Sequence, residues 1–246
     1  MATTDSTAAG SLALRIDDLI SDIRNNGRFA YIRRQPMLRY DLRHIASAIV
    51  AAGRERNPRF AIDAQNRDAY AAIIKWVLND QTMTATDPTT GKKVQGDLTK
   101  GLFIAGNTGS GKSWALEMGA YLAKITGRRF KAGNGEYPLA WRNVRAMEIA
   151  DEWSKSGDLE QWRTAPILGI QDLGSEPAES VYMGNRQDVL RQLLEYRGDC
   201  PGKITHITSN LTYADIERRY GDRVLSRLYG MCNFLLIVGK DRRQAL

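Results

Sequence analysis

Between residues 101 and 238 the chain alternates between two hydrophobic rhythms. Short apolar runs occur at Gly101–Ala105, about 138–144, 166–171, 203–209 and 232–238. The stretches between them, 113–126, 146–155, 185–197 and 212–229, have helical character. This alternation predicts a parallel sheet flanked by helices, an α/β architecture. Upstream, Leu12, Ile16, Leu19, Ile20 and Ile23 fall near helical spacing, which predicts a helix over Leu12–Asn25. Leu42, Ile45, Ala46 and Ile49 do the same for Asp41–Ala52, and Tyr70, Ile73, Ile74 and Val77 for Asn66–Asn79. Gly53 to Pro58 breaks the second of these helices. Asp80–Lys100, rich in Thr, Gly, Asp and Lys, reads as a loop into the first core strand. Residues 1–10 read as disordered. The expected organisation is a small helical region over 1–59 and an α/β domain over 60–246.

Composition narrows this picture. With 246 residues and 43% hydrophobic positions the chain can build one substantial core. No apolar run approaches the roughly 18–20 residues of a spanning helix, and Met1–Gly10 lacks the pattern of a signal peptide. Cys200 and Cys232 form no C-x-x-C pair, and only His44 and His206 accompany them, so neither a disulfide framework nor a zinc site is expected. A cytoplasmic setting follows, with no membrane partner. The net charge of +7 is unevenly spread. Residues 1–60 hold ten arginines, among them Arg33, Arg34, Arg54 and Arg56, against six acids, interleaved with Phe29, Tyr31 and Tyr40. Such a mixture suits phosphate contact and base stacking, so single-stranded DNA is a candidate partner; a solvated helix face or a protein interface is the competing reading.

The sharpest chemical signal lies between the first apolar run and the helix after it. Gly106-Asn107-Thr108-Gly109-Ser110-Gly111-Lys112-Ser113 is the G-x-x-x-x-G-K-[ST] phosphate-binding loop, and these residues with Trp114, which opens the following helical run, are the expected nucleotide contacts. The three glycines let the backbone curl so that successive N–H groups point at phosphate oxygens. Lys112 is expected at the β- and γ-phosphates and the Ser113 hydroxyl on Mg²⁺, with the helix N-terminus adding its dipole. The motif in this context predicts binding of a nucleoside triphosphate, ATP, with Mg²⁺.

A second nucleotide motif belongs at the end of a later apolar strand, and Pro166-Ile-Leu-Gly-Ile-Gln-Asp-Leu-Gly174 fits it. Two acids usually close such a strand, one for Mg²⁺ and one polarising the attacking water. Here Gln171 holds the first position and only Asp172 is charged. Either Asp172 acts on the water with weakened Mg²⁺ binding, or it takes the Mg²⁺ role itself; Glu176 is a further contributor, and a turn-capping Asp172 the structural alternative. Asn210, ending Ile204–Asn210, is placed to reach the γ-phosphate or its water, or else to cap the next helix. Arg223 and Arg227 stand four apart on one helix face, suited either to a neighbouring subunit's γ-phosphate or to surface ion pairs.

Taken in order, the phosphate loop, Ile-Gln-Asp-Leu-Gly-Ser-Glu-Pro, Thr-Ser-Asn at 208–210 and Asp-Arg-Val-Leu-Ser-Arg-Leu at 222–228 resemble the AAA+ ATPases of the DnaC helicase-loader and IstB transposition-helper group, over about residues 60–240. The resemblance implies a P-loop NTPase (AAA+) three-layer core without a C-terminal lid domain. It also implies ATP hydrolysis in a homo-oligomer, a replicative helicase or a transposase as protein partner, and a role in DNA replication. The sensor asparagine of that group falls on Asn210, and its arginine finger on Arg227, with Arg223 second. Gln171 replaces the first acid of the group's Ile-Asp-Asp/Glu pattern, which leaves a nucleotide-gated adaptor with little hydrolysis as an alternative. A P-loop kinase fits less well, because no lid with clustered arginines follows the core and Asn210 and Arg227 would be idle.

Overall fold

The computed structural model describes residues 32–239, 241 and 242. It begins with a short strand, β1 (Ile32–Arg34), and helix α1 (Leu42–Arg56), whose first turn is capped by the Asp41 carboxylate accepting the Arg43 N–H at 2.8 Å. Helix α2 (Arg67–Leu78) stops at Asn79 in the left-handed conformation. The stretch read as a loop carries a hairpin, β2 (Thr84–Thr86) with β3 (Lys93–Gln95), whose strands are too short for alternation to show in the sequence. The core then runs through β4 (Gly101–Ala105), α3 (Lys112–Thr126), β5 (Arg129–Ala132), β6 (Gly135–Pro138), β7 (Asn143–Arg145), α4 (Ala146–Ser156), α5 (Glu160–Thr164) and β8 (Ile167–Leu173). It continues through β9 (Ser180–Tyr182), β10 (Asn185–Gln187), α6 (Val189–Asp199), β11 (Ile204–Ser209), α7 (Tyr213–Tyr220), α8 (Asp222–Met231) and β12 (Cys232–Leu236).

Five of these strands form the central sheet in the order β12-β4-β11-β8-β7, with every pairing parallel. β4 is buried along its whole length, as expected of a strand covered on both faces. Its side chains alternate: Leu102 and Ile104 join the cluster under α2 and α3, while Phe103 and Ala105 join the one under α4, α6, α7 and α8. The result is the three-layer α/β core expected from the alternation. No helix among the described residues is long and apolar enough to cross a membrane.

Several boundaries moved, each for a local reason. Of the run at 138–144 only its end joins the central sheet as β7, because β6 folds back on β5, whose other edge pairs with β1, in a separate antiparallel sheet. The helix expected from 185 starts at Val189, with Asp188 as its cap and the β9–β10 hairpin before it. The helix expected over 212–229 divides at Gly221, whose φ of 87° no helical residue shares.

The arginine-rich region is partly a structural element. The helix expected over Leu12–Asn25 lies outside the described residues. Residues 32–59, however, pack on the core: β1 pairs with β5, Ile49 is buried, and Phe60 fills the space beside Gly53. The Arg34 guanidinium donates to the carbonyls of Trp76 and Leu98, both at 2.7 Å, and lies 4.3 Å from the Trp76 ring. Burial first, and then the neighbouring Arg128 cation, lower its pKa to about 9. Tyr40 donates to Asp80 at 2.6 Å. Arg34 and Tyr40, both counted toward nucleic-acid contact, are thus committed to packing, a use that charge counting does not reveal.

β11 is the most constrained strand, since all six of its residues are buried and four are polar. Beneath it Arg197, 1% exposed, donates to Thr205 Oγ1 at 2.9 Å and to the carbonyls of Trp162, Ala165 and Ile204 at 2.7–2.8 Å. His206 Nδ1 accepts the Leu102 N–H at 3.1 Å, and its ring packs against Trp76 and Trp141. Desolvation, helped by the Arg34 and Arg197 cations, lowers the His206 pKa from the ordinary 6.5 to about 3. Its neutral form is therefore favoured by folding, and the unfolded chain binds more protons between those values. Stability from this group is complete above pH 6.5 and falls toward pH 3 by about 1.4 kcal/mol per pH unit. Chemical denaturation from pH 7 to pH 4 should show this slope, and His206→Gln should remove it.

Candidate nucleotide-binding site

At the carboxyl ends of β4, β11 and β8 the chain opens into a cavity of about 850 Å³. Its floor is the loop between β4 and α3. Gly106, Gly109 and Gly111 take φ values of 152°, 74° and 101°, the curl that the motif requires. α3 starts at Lys112 with no side-chain cap, so its first N–H groups face the cavity. The Lys112 ammonium donates to the Asn107 carbonyl at 2.9 Å and to the Asn210 side-chain oxygen at the end of β11. Asn210 does not cap the next helix, because Thr212 does so in a capping box with Asp215.

A bulge aims the acid. Ile207 and Ser209 of β11 face Ile170 and Leu173 of β8, so β8 carries one extra residue there. Asp172, at φ 56°, sits in this bulge, and its N–H donates to the buried Thr208 hydroxyl at 3.0 Å. The carboxylate turns toward α3, where the Ser113 hydroxyl donates to it at 3.3 Å. Gln171 is buried at 7% exposure and also reaches α3, donating to the Ser113 carbonyl at 3.4 Å and to Glu117 at 3.3 Å. Among the described residues no group of three or more acids, histidines or cysteines is gathered to hold a metal ion by itself. A hydroxyl and one carboxylate beside a phosphate loop are instead a donor set for Mg²⁺, which takes one or two carboxylates plus phosphate oxygens and water. The residues fit that ion.

Glu176 does not join this set. Its side chain is 1% exposed and accepts from Tyr220 Oη, the Gly174 N–H at 2.9 Å and Arg219 at 3.3 Å. Arg219 also holds Asp188 at 2.7 Å. The fold has spent this carboxylate on tying the end of β8 to α7. Arg223 and Arg227 lie on α8, outside the cavity. Arg227 is ion-paired with Asp199 at 2.7 Å, and Arg223, one turn earlier, is exposed.

Around Trp114, which was expected beside the nucleotide, the cavity contains residues that no motif marks. Trp114 lies 5.5 Å from Phe60 between ring centroids, with the Arg56 guanidinium 4.7 Å from its ring. Arg56 reaches Glu117 at 2.7 Å, and Tyr70 and Arg145 complete the wall. Beyond β12 the chain runs back over the loop as a strap. The Asn107 amide donates to the Gly239 carbonyl at 2.6 Å, and the Arg242 N–H to the Gly109 carbonyl at 3.0 Å. The Arg242 side chain bridges the Ser110 carbonyl at 3.0 Å and Asp63 at 2.8 Å, and it holds the Asp63 carboxyl below the usual range. The signal for Arg242 in the sequence is only a charge cluster near residue 242; nothing there ties it to Asp63.

Neither a protein-family profile nor a curated protein sequence matches the chain. Solved structures do. The crystal structure of the DnaC helicase loader aligns at a TM-score of 0.50 and 18% identity, covering 74% of this chain and 94% of that one. AMPPCP-bound DnaA from Aquifex aeolicus aligns at a TM-score of 0.45 and 18% identity, covering 73% and 48%. The likeness to the DnaC helicase loader shows the fold, an α/β core with a parallel sheet, as the alternation of strands and helices led us to expect.

The loop and the strap are sterically locked together at Gly106, where an added Cβ would stand 1.9 Å from the Ile237 carbonyl oxygen. Gly106→Ala should cost about 1–3 kcal/mol of stability by displacing one or the other. A denaturation midpoint equal to that of the wild type would refute this.

Proposed function

We propose that the chain is an AAA+ ATPase that binds ATP with Mg²⁺ and, as a homo-oligomer, uses the nucleotide to control its grip on DNA and on a partner protein in DNA replication. The observation that carries the reading is the meeting of Lys112, Asn210, Ser113 and Asp172 at the ends of three adjacent strands. In this reading the backbone of Gly106 to Gly111, with Asn107, Thr108 and Ser110, cradles the phosphates. Lys112 exchanges its bonds to Asn107 and Asn210 for the β- and γ-phosphates, and Asn210 then orients the γ-phosphate or its water. Ser113 and Asp172 hold Mg²⁺, which when bound neutralises charge on the phosphate oxygens. Asp172 takes the cation role rather than acting only on water, a choice supported by its contact with Ser113. Trp114 and Phe60 flank the entrance beside the loop.

Arg227 and Arg223 are assigned to the γ-phosphate of a neighbouring subunit, a role supported by their distance from the cavity of their own chain. Residues 1–59 are the proposed partner and single-stranded DNA region of a cytoplasmic protein. A helicase-loading role draws on the fold shared with the DnaC helicase loader; a replicative helicase is then the partner, and a transposase the alternative. A second reading, a nucleotide-gated adaptor with little turnover, is favoured by one observation: Gln171 puts an amide where a carboxylate is usual.

Steady-state hydrolysis with and without single-stranded DNA separates the two. The ATPase reading expects turnover well above a Lys112→Ala variant, whereas the adaptor reading expects tight binding with turnover no higher than that variant. Mixing Arg227→Ala or Arg223→Ala subunits into wild-type protein should depress the activity of the wild-type partners. If neither variant does so, the assignment across subunits is wrong.

A further inference from the structure

Gln171 leaves the cation site one carboxylate short, yet its amide leads directly to another. Gln171 Nε2 bridges the Ser113 carbonyl at 3.4 Å and Glu117 Oε1 at 3.3 Å. Glu117 stands four residues after Ser113 on α3, hence on the same face one turn along. Side chains on a helix lean toward its N-terminus, so this carboxylate leans back toward Ser113. It lines the cavity together with Ser113 and Asp172, and it is one-third exposed, so water reaches it. Its other oxygen holds Arg56 at 2.7 Å.

We propose that Glu117 is the carboxylate that completes the Mg²⁺ site of this chain, serving the cation that Gln171 cannot. The proposal rests on the ATP reading above. An amide attracts a cation's water shell far less than a carboxylate does, and the cavity is otherwise rich in positive charge from Lys112, Arg56, Arg145 and Arg242. A second negative group beside Asp172 offsets that excess where a divalent cation must enter. Gln171 has a complementary task, holding the carboxylate by its amide hydrogens. An ion pair with Arg56 alone would not require the bond to Gln171.

The test measures binding of a fluorescent ATP analogue to the full chain, first in EDTA and then across a Mg²⁺ titration. For wild type, Mg²⁺ tightens binding. In Glu117→Gln the Mg²⁺ midpoint should rise about tenfold while binding in EDTA is not weakened, since Arg56 is freed for the phosphates. The double variant Glu117→Gln/Gln171→Glu, which exchanges carboxylate and amide across this hydrogen bond, should return the midpoint toward wild type. Three outcomes overturn the proposal: an unshifted midpoint in Glu117→Gln, an equal loss of affinity with and without Mg²⁺ (Glu117 then merely anchors Arg56), or no recovery in the double variant. Absence of binding by the wild type would instead sink the nucleotide reading itself.

Discussion

The middle of the sheet is a polar strand with no access to water. Thr205, His206, Thr208 and Ser209 of β11 are each fully buried. A buried polar group without a partner costs about 1–3 kcal/mol, so the fold must supply a partner for each of them. Thr205 accepts from Arg197, His206 from the backbone of β4, and Thr208 from Asp172; Ser209 donates to the Leu173 carbonyl at 2.7 Å. These bonds fix the register of β11 against both neighbours more tightly than apolar alternation alone would, because a one-residue slip would strand all four groups. They also join the core to the site. The partner of Thr208 is the residue that faces Ser113, and the residue after Ser209 holds Lys112.

The same constraint explains why the site is assembled from such distant segments. Lys112 and Asn210 are 98 positions apart, and Ser113 and Asp172 are 59 apart. Parallel strands need crossovers through helices, so residues that meet at the ends of paired strands lie far apart in sequence. What they share is one edge: the loops leaving β4, β8 and β11 emerge together at their carboxyl ends. The bulge in β8 then does what a regular strand cannot, letting two consecutive residues both reach α3. Gln171 remains buried beside α3, and Asp172 swings toward the hydroxyl of Ser113.

Much of this was legible because its physics is local. A left-handed curl needs glycine, so three glycines before Lys-Ser mark the loop; an apolar run ending in Asp172 marks the strand that approaches it. The missing acid at Gln171 was equally plain. Its neighbour Glu117 was not, since a glutamate on an exposed-looking helix carries no sign that a strand 54 residues later will touch it. The hairpins were hidden by their three- and four-residue strands, and the strap by contacts that span most of the chain, Arg242 to Asp63 among them. Glu176 misled for the opposite reason: it is near Asp172 in sequence, but β8 ends in a turn that sends it into the packing of α7.

A count of charges does not say where each charge is used. Arg34 and Arg197 are capped by carbonyl oxygens, and desolvation, the larger effect on each, lowers their pKa values to about 9 and about 10. They contribute to the net charge but present little of it to any partner. The cations that do face the cavity are mostly engaged already: Arg56 with Glu117, Arg242 with Asp63, Lys112 with Asn107 and Asn210. An entering polyphosphate therefore competes with two carboxylates for those arginines. On the proposed ATP reading a divalent cation arriving with it would change that balance, because a carboxylate drawn to the cation would release its arginine to the phosphates. Anion and cation binding would thereby be coupled through Glu117 in the wall of the cavity, an acid outside the motif strands.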